Sequence, residues 1–322
     1  MIKIKIDQEN IQKRLDVFLV DYFENKYPRA RISGAIEKSL FLVNNNFQKT
    51  SYKLKLNDEI SYSEENLEEF LNPDLTLKPW DFKLDILYED DDLIVLNKPK
   101  EMLCHPTKFE REHTLSNALL HHTKGQLSNC AGDDRLGIVH RLDKNTSGIM
   151  LAAKTNFAHE NLSKQIKEKT AIRKYFAIAL VNFKEKIGTI DKPLIHSLKD
   201  DVKMMVSDEG LEAITHYEVK EEYRGASLIE LELKTGRTHQ IRAHLSYIGH
   251  PVFGDSLYGA KSFMRNEFYN LKTTEQLLQS YYLSFSHPKT DERLEFKLEE
   301  KDYSKDFIKV LNFLRSKNVD EY

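Results

Sequence analysis

Hydrophobic side chains recur with helical spacing near the start of the chain. Leu15, Phe18, Leu19, Tyr22 and Phe23 stand at i, i+3, i+4, i+7 and i+8, which places them on one face of a helix. A surface helix buries such a face against a core, so the pattern predicts an amphipathic helix within a folded unit.

A second helix and a small sheet are predicted to complete this unit. Residues 32–36 form a short apolar stripe, and the polar side of the same helix carries three basic residues, Arg29, Arg31 and Lys38. Residues 41–43 are strand-like and lead into the asparagine-rich turn 44–46, and a further strand is predicted around Ile60. Two helices and a small sheet fit within residues 1–63, which we predict to be one domain.

Strand patterns dominate from residue 85 onward. Residues 86–88 and 93–96 flank the acidic turn 89–92, an arrangement typical of a hairpin. Further strands are predicted at 149–153, 175–181, 214–220 and 227–233, and helices at 114–122, 157–168, 238–248 and 304–315. These elements predict a mixed α+β domain over residues 85–322.

The stretch between the two predicted domains, residues 64–84, has weak periodicity and dense negative charge, so we predict an acidic linker. The net charge of the whole chain is −3, which by itself argues against a nucleic-acid partner. The charge is segregated, however. Residues 64–93 carry 11 acidic and 2 basic side chains, residues 1–63 carry 11 basic and 8 acidic, and residues 134–175 carry 9 basic and 4 acidic.

Composition excludes several classes of protein. The chain has 322 residues, enough for about two domains, and its 40% hydrophobic content is too high for a disordered chain. The longest apolar run, 175–181, is too short to cross a bilayer, and the first ten residues lack the apolar core of a signal peptide. With only Cys104 and Cys130 available, a disulfide framework is excluded, and we expect a cytoplasmic protein.

Three polar blocks stand out in the larger domain. In 137–148 (GIVHRLDKNTSG) a short strand runs into a loop that holds one acid, Asp143, between basic neighbours. In 173–177 (RKYFA) a basic pair stands at the entry of a strand, and in 235–244 (TGRTHQIRAH) a strand ends at a glycine before a helix begins. Loops at strand ends are where a scaffold presents side chains to a substrate.

The three blocks offer one carboxylate, several guanidinium groups and an aromatic ring. A carboxylate with an arginine within a few ångströms stays ionised and can act as a nucleophile or base at a sugar carbon. Arginines bind phosphates bidentately, and a tyrosine ring stacks on a base. This inventory suits chemistry on a nucleotide within RNA.

Structural interpretations stand beside this one. Asp143 could be a turn residue, Arg242 an ordinary ion-pair partner and Tyr175 the edge of the core. Three histidines could indicate a metal-dependent hydrolase: His140, His239 and His244. Their spacing, without an acidic ligand nearby, matches no standard catalytic zinc motif, so no metal is expected.

Residues 1–63 resemble the S4 RNA-binding domain. The similar pieces are RLDVFL at 14–19, the Arg-x-Arg-Ile of the second helix, FLVNNN at 41–46 and LNDEI at 56–60. This resemblance implies RNA contacts by the three basic residues of the second helix. The alternative is a helical cap whose arginines are merely solvated.

The larger domain resembles the RluA-type family of pseudouridine synthases over about residues 85–290. The three polar blocks are similar to the catalytic, tyrosine and arginine blocks of that family, and two further segments, 87–99 and 247–259, are also similar. The resemblance implies a mixed, largely antiparallel sheet with flanking helices. Lys100 and Glu101 stand where Ala-Gly is common in the family, and Asn145 where Asp is common, which puts only local turns in doubt.

The resemblance also implies residue roles. Asp143 matches the catalytic aspartate, which acts at the ribose of a flipped-out uridine, either by adding to C1′ or by removing the 2′ proton. Arg242 matches its arginine partner, Tyr175 the tyrosine that stacks on the base and takes part in the final proton removal, and Arg141 the residue that fills the gap in the RNA stack. Further RNA contacts are expected at His140, Lys144, Lys174 and Arg237. Neither a metal nor an organic cofactor is implied.

We therefore predict an enzyme that isomerises uridine to pseudouridine in RNA, with 23S ribosomal RNA favoured as the substrate. A transfer RNA substrate, and a non-catalytic ribosome-assembly protein that binds RNA, are the alternatives. RNA is the expected partner, with no membrane and no obligate protein partner, and we expect a monomer.

Overall fold

The computed structural model describes residues 1–24, 26–71, 77–107, 110–197, 200, 202–259, 268, 271, 273 and 275–319. The chain forms two compact units, Met1–Thr76 and Leu77–Tyr322. Within the described residues, no helix combines the length and the apolar character needed to span a membrane.

The first unit packs two helices on a three-stranded antiparallel sheet. The helices are α1 (Leu15–Tyr22) and α2 (Arg29–Glu37), and the strands follow the order β1 (Ile2–Lys5), β3 (Glu59–Tyr62) and β2 (Phe41–Val43). Leucine and isoleucine side chains of both helices are fully buried against this sheet, as the apolar stripes predict. Of the predicted α1 stripe, only Tyr22, the last residue of the helix, is exposed, at 44%.

A third helix, α3 (Glu64–Leu71), belongs to the first unit. It lies in the segment 64–84 that the sequence predicts as a linker. Leu67 and Leu71, four residues apart, are buried in the core of the unit, and Arg31 Nη1 donates a hydrogen bond of 2.9 Å to the carbonyl of Leu71. Glu64 and Glu65 begin the helix, and more glutamates surround its apolar pair. The sequence of this segment is therefore typical of a solvated loop, although the segment forms a helix.

The second unit is built on a nine-stranded mixed sheet with the order β4-β5-β6-β13-β7-β12-β11-β8, and β14 pairs with β13. Its strands are β4 (Ile86–Glu89), β5 (Leu93–Lys98), β6 (Ser147–Ala153), β7 (Ile172–Leu180), β8 (Ile187–Asp191), β11 (Ile214–Tyr223), β12 (Ala226–Leu233), β13 (Leu278–Ser286) and β14 (Arg293–Lys297). All neighbouring pairs are antiparallel except β6 and β13, which are parallel. The predicted mixed α+β fold is confirmed.

Helices cover both faces of this sheet. On one face, alternate residues of the central strands pack with α4 (Leu115–His122) and α6 (Gln240–Tyr247). On the other face, the remaining residues pack with α5 (Asn156–Lys167) and α7 (Lys305–Val319). A separate two-stranded sheet pairs β9 (Leu194–His196) with β10 (Met204–Val206).

The parallel pairing of β6 and β13 depends on Gly148. Its φ is +122°, and a Cβ atom at this position would lie 1.9 Å from the carbonyl oxygen of Ser280. Only glycine permits this approach. Gly148 stands just after the loop that carries Asp143, so the same contact fixes where that loop joins the sheet.

Candidate active site

The three polar blocks of the sequence meet at one cleft of about 670 Å³ in the second unit. Asp143 and Arg141 come from the loop before β6, Tyr175 from β7, and Arg237 from the turn before α6. A smaller adjoining pocket is lined by Asp143 and Tyr175 together with Arg242. The fold therefore brings together the four residues with predicted catalytic roles, although they are up to 101 positions apart in the sequence.

Asp143 and Arg242 form an ion pair at the floor of the site. Arg242 Nη1 donates to Asp143 Oδ2 at 3.0 Å, and the side chains of Arg242 and Asp143 are 8% and 16% exposed. A second carboxylate, that of Asp255, binds the same guanidinium from the other side and is 0% exposed. One buried arginine thus connects a partly exposed carboxylate with a fully buried one.

The Arg242 guanidinium stays charged. Burial opposes its charge, but the hydrogen bonds and negative charges of Asp255 and Asp143 prevail and raise the pKa of Arg242 above its ordinary value. Its guanidinium carbon also lies 5.1 Å from the ring centre of Tyr258, within the range of a cation–π contact. A permanent positive charge is therefore held 3.0 Å from the Asp143 carboxylate.

His239 lies on the other side of this carboxylate. Its Nε2 is 3.9 Å from Asp143 Oδ2, and its Nδ1 is 3.2 Å from the hydroxyl of Tyr258. The residue precedes α6 in a left-handed conformation with φ 52°, which is costly for a non-glycine residue and is maintained by the packing around it. Burial lowers the pKa of His239, so a neutral imidazole faces the carboxylate at neutral pH.

Two buried side chains hold the loop of Asp143 from below. The Cys104 thiol accepts a hydrogen bond from the Leu142 amide at 3.3 Å and donates to the Leu142 carbonyl at 3.2 Å. The Lys98 ammonium, with its side chain fully buried, donates to the Lys144 carbonyl at 3.2 Å. Because the residues before and after Asp143 are both tied to the core, its carboxylate has a fixed position.

Tyr175 is 4% exposed, and part of its ring lines both cavities beside Asp143. Burial raises the pKa of Tyr175, while the charge of Arg173 opposes this effect and the charge of Asp143 adds to it. The hydroxyl hydrogen-bonds with Ser280. The site thus combines a carboxylate, a fixed guanidinium and a neutral phenol that a flat ring can approach.

Comparisons with known proteins decide the family. A model of the RNA pseudouridylate synthase family matches residues 92–247. An uncharacterised RNA pseudouridine synthase of Bacillus subtilis, YlyB, is 38% identical over 295 residues, which are 92% of this chain and 93% of that protein. The chain belongs to the RluA-type family of RNA pseudouridine synthases. As such it is an isomerase.

Other relatives and solved structures agree. A ribosomal large subunit pseudouridine synthase D of Vibrio parahaemolyticus is 35% identical and is matched over 98% of this chain and 95% of its own length. Human RNA pseudouridylate synthase domain containing 4 superposes with a TM-score of 0.57 at 24% identity, covering 72% of this chain and 93% of that one. This likeness confirms the pseudouridine synthase fold.

In this pseudouridine synthase, some of the predicted RNA contacts of the second unit lie at the cleft and others do not. Arg141 and Arg237 are exposed at the cleft, and Arg237 Nε donates to the carbonyl of Glu212 at 2.9 Å. Lys144 pairs with Glu110 at 2.7 Å. Lys174 is not among the residues that line the cleft, because it neighbours Tyr175 in β7 and points to the opposite face, where it pairs with Glu230 at 3.1 Å.

His140 is half-buried, and its ring is a neutral acceptor. Its Nε2 accepts a hydrogen bond of 3.0 Å from the Leu151 amide, and its Nδ1 is buried. Burial, together with the charge of Arg173, lowers the pKa of His140 to about 3. A positive imidazolium that contacts phosphate is therefore excluded at neutral pH, and any RNA contact must use the neutral ring.

The basic residues of α2 are partly used within the first unit. Arg29 and Arg14 both bind the buried carboxylate of Asp16, at 2.8 and 3.0 Å. Arg31 donates to the Leu71 carbonyl, and Lys38 is exposed at the end of the helix. Of the three predicted RNA contacts on this helix, Arg29 and Arg31 thus have structural partners as well.

The three histidines considered as metal ligands have separate partners. His140 binds the Leu151 amide and His239 lies near Asp143, while His244 contacts the Thr215 hydroxyl at 2.9 Å and the Lys192 carbonyl at 2.8 Å. Another group of possible ligands, Asp90, Asp92 and His287, lies near the β4–β5 turn. The ammonium of Lys289 is 2.7 Å from Asp92 there and supplies a positive charge.

Sequence reasoning missed several residues of the site, namely Lys98, Cys104, Asp255 and Tyr258. Asp255 follows a glycine and stands 13 positions after Arg242, so it resembles an ordinary turn residue. Its carboxylate accepts hydrogen bonds from the backbone amides of Leu257 and Tyr258, as a turn residue does. The signal for this residue in the sequence is the family resemblance of segment 247–259.

Proposed function

We propose that this pseudouridine synthase modifies uridine in large-subunit ribosomal RNA, with Asp143 as the catalytic carboxylate. The observation that carries the proposal is the 3.0 Å ion pair between Asp143 and Arg242 inside a cleft that also contains Tyr175. Support for the substrate comes from the relatives named ribosomal large subunit pseudouridine synthase D, which are 33–42% identical to this chain.

The proposed reaction exchanges one bond of the ribose for another. The N1–C1′ bond breaks, the detached uracil turns, C5 bonds to C1′, and the C5 proton is then lost while N1 gains a proton. Asp143 acts either by adding to C1′ or by removing the 2′ proton. Both routes need the carboxylate held in place, and the ion pair with Arg242 at 3.0 Å does this. The atoms balance without any added reactant.

Tyr175 and Arg141 are assigned the two contacts with the displaced base and the RNA stack. In this proposal the ring of Tyr175, which lines both cavities, lies against uracil, and its hydroxyl takes part in the final proton transfer. Arg141 is exposed two positions before Asp143, where its side chain can enter the gap that the flipped nucleotide leaves. Filling this gap offsets part of the cost of unstacking.

We also propose that the first unit is an S4-like RNA-binding domain, with residues 1–63 as its centre. The 11 basic against 8 acidic side chains of residues 1–63 and the exposed Lys38 support this assignment. Because α3 packs on the same core, the folded unit extends beyond residue 63, into the stretch that the sequence predicts as an acidic linker.

Pseudouridine mapping in cells tests the substrate. Ribosomal and transfer RNA from cells with and without the gene are treated with carbodiimide and read by primer extension. The proposal predicts one or more stops in large-subunit ribosomal RNA that disappear with the gene. If a stop disappears in transfer RNA alone, transfer RNA is the substrate instead. If no stop disappears in either RNA, the proposal is contradicted.

A further inference from the structure

Arg173 is a buried arginine whose charge has no counterpart in the described structure. It stands in β7 and is 5% exposed. Its Nε is buried without a hydrogen-bond partner, and no described carboxylate lies within ion-pair distance of its guanidinium. Arg173 nevertheless lines the cleft that contains Asp143 and Tyr175.

Only Nε is fully buried, so the rest of the guanidinium depends on a partner in the cleft, which is either water or an anion. Arginine side chains are almost never buried without a partner, because taking an unpaired charge out of water costs several kcal/mol. Backbone geometry makes room for the group, since a Cβ atom on Gly236 would lie 2.9 Å from Arg173 Nη1. The glycine of the third polar block thus lets the guanidinium lie against the chain at the wall of the cleft.

Two histidines that line the cleft also have a buried ring nitrogen without a partner. His140 Nδ1 and His159 Nδ1 are buried without hydrogen bonds, and both residues line the cleft. Since His140 Nε2 accepts the Leu151 amide proton, the proton of the neutral ring belongs on Nδ1, which is therefore a donor. A guanidinium and an imidazole N–H in one wall form a suitable pair of donors for an anion.

The charges around the cleft favour an anion as well. Its described lining contains seven lysine and arginine side chains but only two carboxylates. One carboxylate, Asp143, is paired with Arg242, and the other, Glu212, is 3.2 Å from Lys169. Neither carboxylate is available to neutralise Arg173.

We propose that Arg173, together with the Nδ1–H of His140, binds one phosphate group of the RNA strand beside the uridine at Asp143. This inference rests on the proposed function for the identity of the ligand. A phosphate offers the oxygens that a guanidinium binds bidentately, and the RNA chain places a phosphate on each side of every nucleotide. The contact would fix the strand while the base enters the pocket.

Inorganic phosphate tests the site without RNA. Thermal unfolding of the full-length protein is followed in a phosphate-free buffer and with phosphate, at constant ionic strength set with KCl. We expect phosphate to raise the Tm of the wild type by about 2–4 °C. Arg173→Met should lose this rise, and in the phosphate-free buffer its Tm should equal or exceed that of the wild type. Arg135→Met, at an exposed arginine of the same cleft, should keep the rise.

The comparison has two outcomes. Loss of the phosphate-dependent rise in Arg173→Met alone supports the site. If Arg173→Met keeps the rise, or if the wild type lacks it, the proposal is overturned and the guanidinium serves the fold or Tyr175 instead. Because no product is measured, this result is independent of whether the protein forms pseudouridine.

RNA binding provides the second test. Affinity for an unmodified transcript of large-subunit ribosomal RNA is measured by filter binding over a series of KCl concentrations. Arg173→Met should reduce the slope of log affinity against log salt by about 0.7, the loss of one phosphate contact on a single strand. Arg173→Lys should keep the slope but bind more weakly, because lysine keeps the charge without the bidentate geometry. An unchanged slope in Arg173→Met would contradict the proposal, even if the wild type forms pseudouridine.

Discussion

The carboxylate of Asp255 binds the guanidinium of Arg242 through both of its oxygens, at 2.6 Å from Nε and 3.0 Å from Nη2. This leaves Nη1 to bind Asp143 at 3.0 Å. Asp255 is fully buried and therefore remote from any substrate. The orientation of the proposed catalytic carboxylate thus depends on a second carboxylate that acts through the arginine.

Asp255→Asn is expected to lower kcat by about 10- to 100-fold with little change in KM, because a misplaced arginine shifts the Asp143 carboxylate by a fraction of an ångström. Steady-state kinetics on large-subunit ribosomal RNA, the proposed substrate, measure this. A change in KM alone would contradict the positioning role.

Asp255→Ala is expected to destabilise the protein by about 3 kcal/mol, because it leaves a buried guanidinium with one partner fewer. Urea unfolding measures this difference. Asp21→Ala is the matched control: it breaks an ion pair with Lys13 in which the side chains of Lys13 and Asp21 are 38% and 49% exposed, and should cost less than about 1 kcal/mol. Equal losses in the two variants would contradict the importance of burial.

Tyr175→Phe separates the ring of the tyrosine from its hydroxyl. The variant keeps the flat ring, so RNA affinity should remain within about twofold, whereas product formation should fall by about 10²-fold because the hydroxyl is lost from proton transfer. Single-turnover assays together with filter binding measure the two effects. Full activity in Tyr175→Phe would restrict the residue to stacking.

Arg141→Ala should weaken RNA binding, since it removes one charge from the cleft. The slope of log affinity against log salt should become smaller by about 0.7. Arg293→Ala is the control, because Arg293 is also exposed but is not among the cleft residues and donates to the Thr170 carbonyl. Filter binding at several salt concentrations compares them. If both variants lose affinity equally, the cleft is not the principal RNA-binding surface.

His140 should make the fold sensitive to acid. Its pKa is about 3 in the folded protein and about 6.5 when unfolded, so the unfolded chain binds the proton more readily. The contribution of His140 to the free energy of unfolding is fully present above pH 6.5 and is lost as the pH falls toward 3. At pH 5 the loss is about 2 kcal/mol. Urea unfolding at pH 7 and pH 5 should show a smaller loss for His140→Gln. An equal loss in both proteins would place this histidine in contact with water.

Local patterns in the sequence predict much of the fold. The stripes of α1 and α5 and the hairpin of β4 and β5 are visible because the residues that form them are close in sequence. Strand β13 is not visible, since Gln279 and Ser280 look solvent-facing although both are buried. Gln279 accepts a hydrogen bond from the Ser147 hydroxyl, and Ser280 donates one to the Ile149 carbonyl. Both partners are more than 130 residues away in the sequence.

Local patterns likewise predict only part of the site. Asp143, Tyr175 and Arg242 stand in polar blocks that differ from their surroundings, and the fold places them together. The buried role of Asp255 depends on the packing of its loop against α6, which no local pattern expresses. Lys174 was selected with Tyr175 from one block, but alternation along β7 sends the two side chains to opposite faces.

The most direct test of the account is pseudouridine formation by purified wild type and by Asp143→Asn, which keeps the shape of the side chain and removes its charge. Unmodified large-subunit ribosomal RNA is incubated with each protein and read by carbodiimide primer extension. The account predicts pseudouridine with the wild type and none with Asp143→Asn, although both bind the RNA. Equal pseudouridine formation by the two proteins would contradict it.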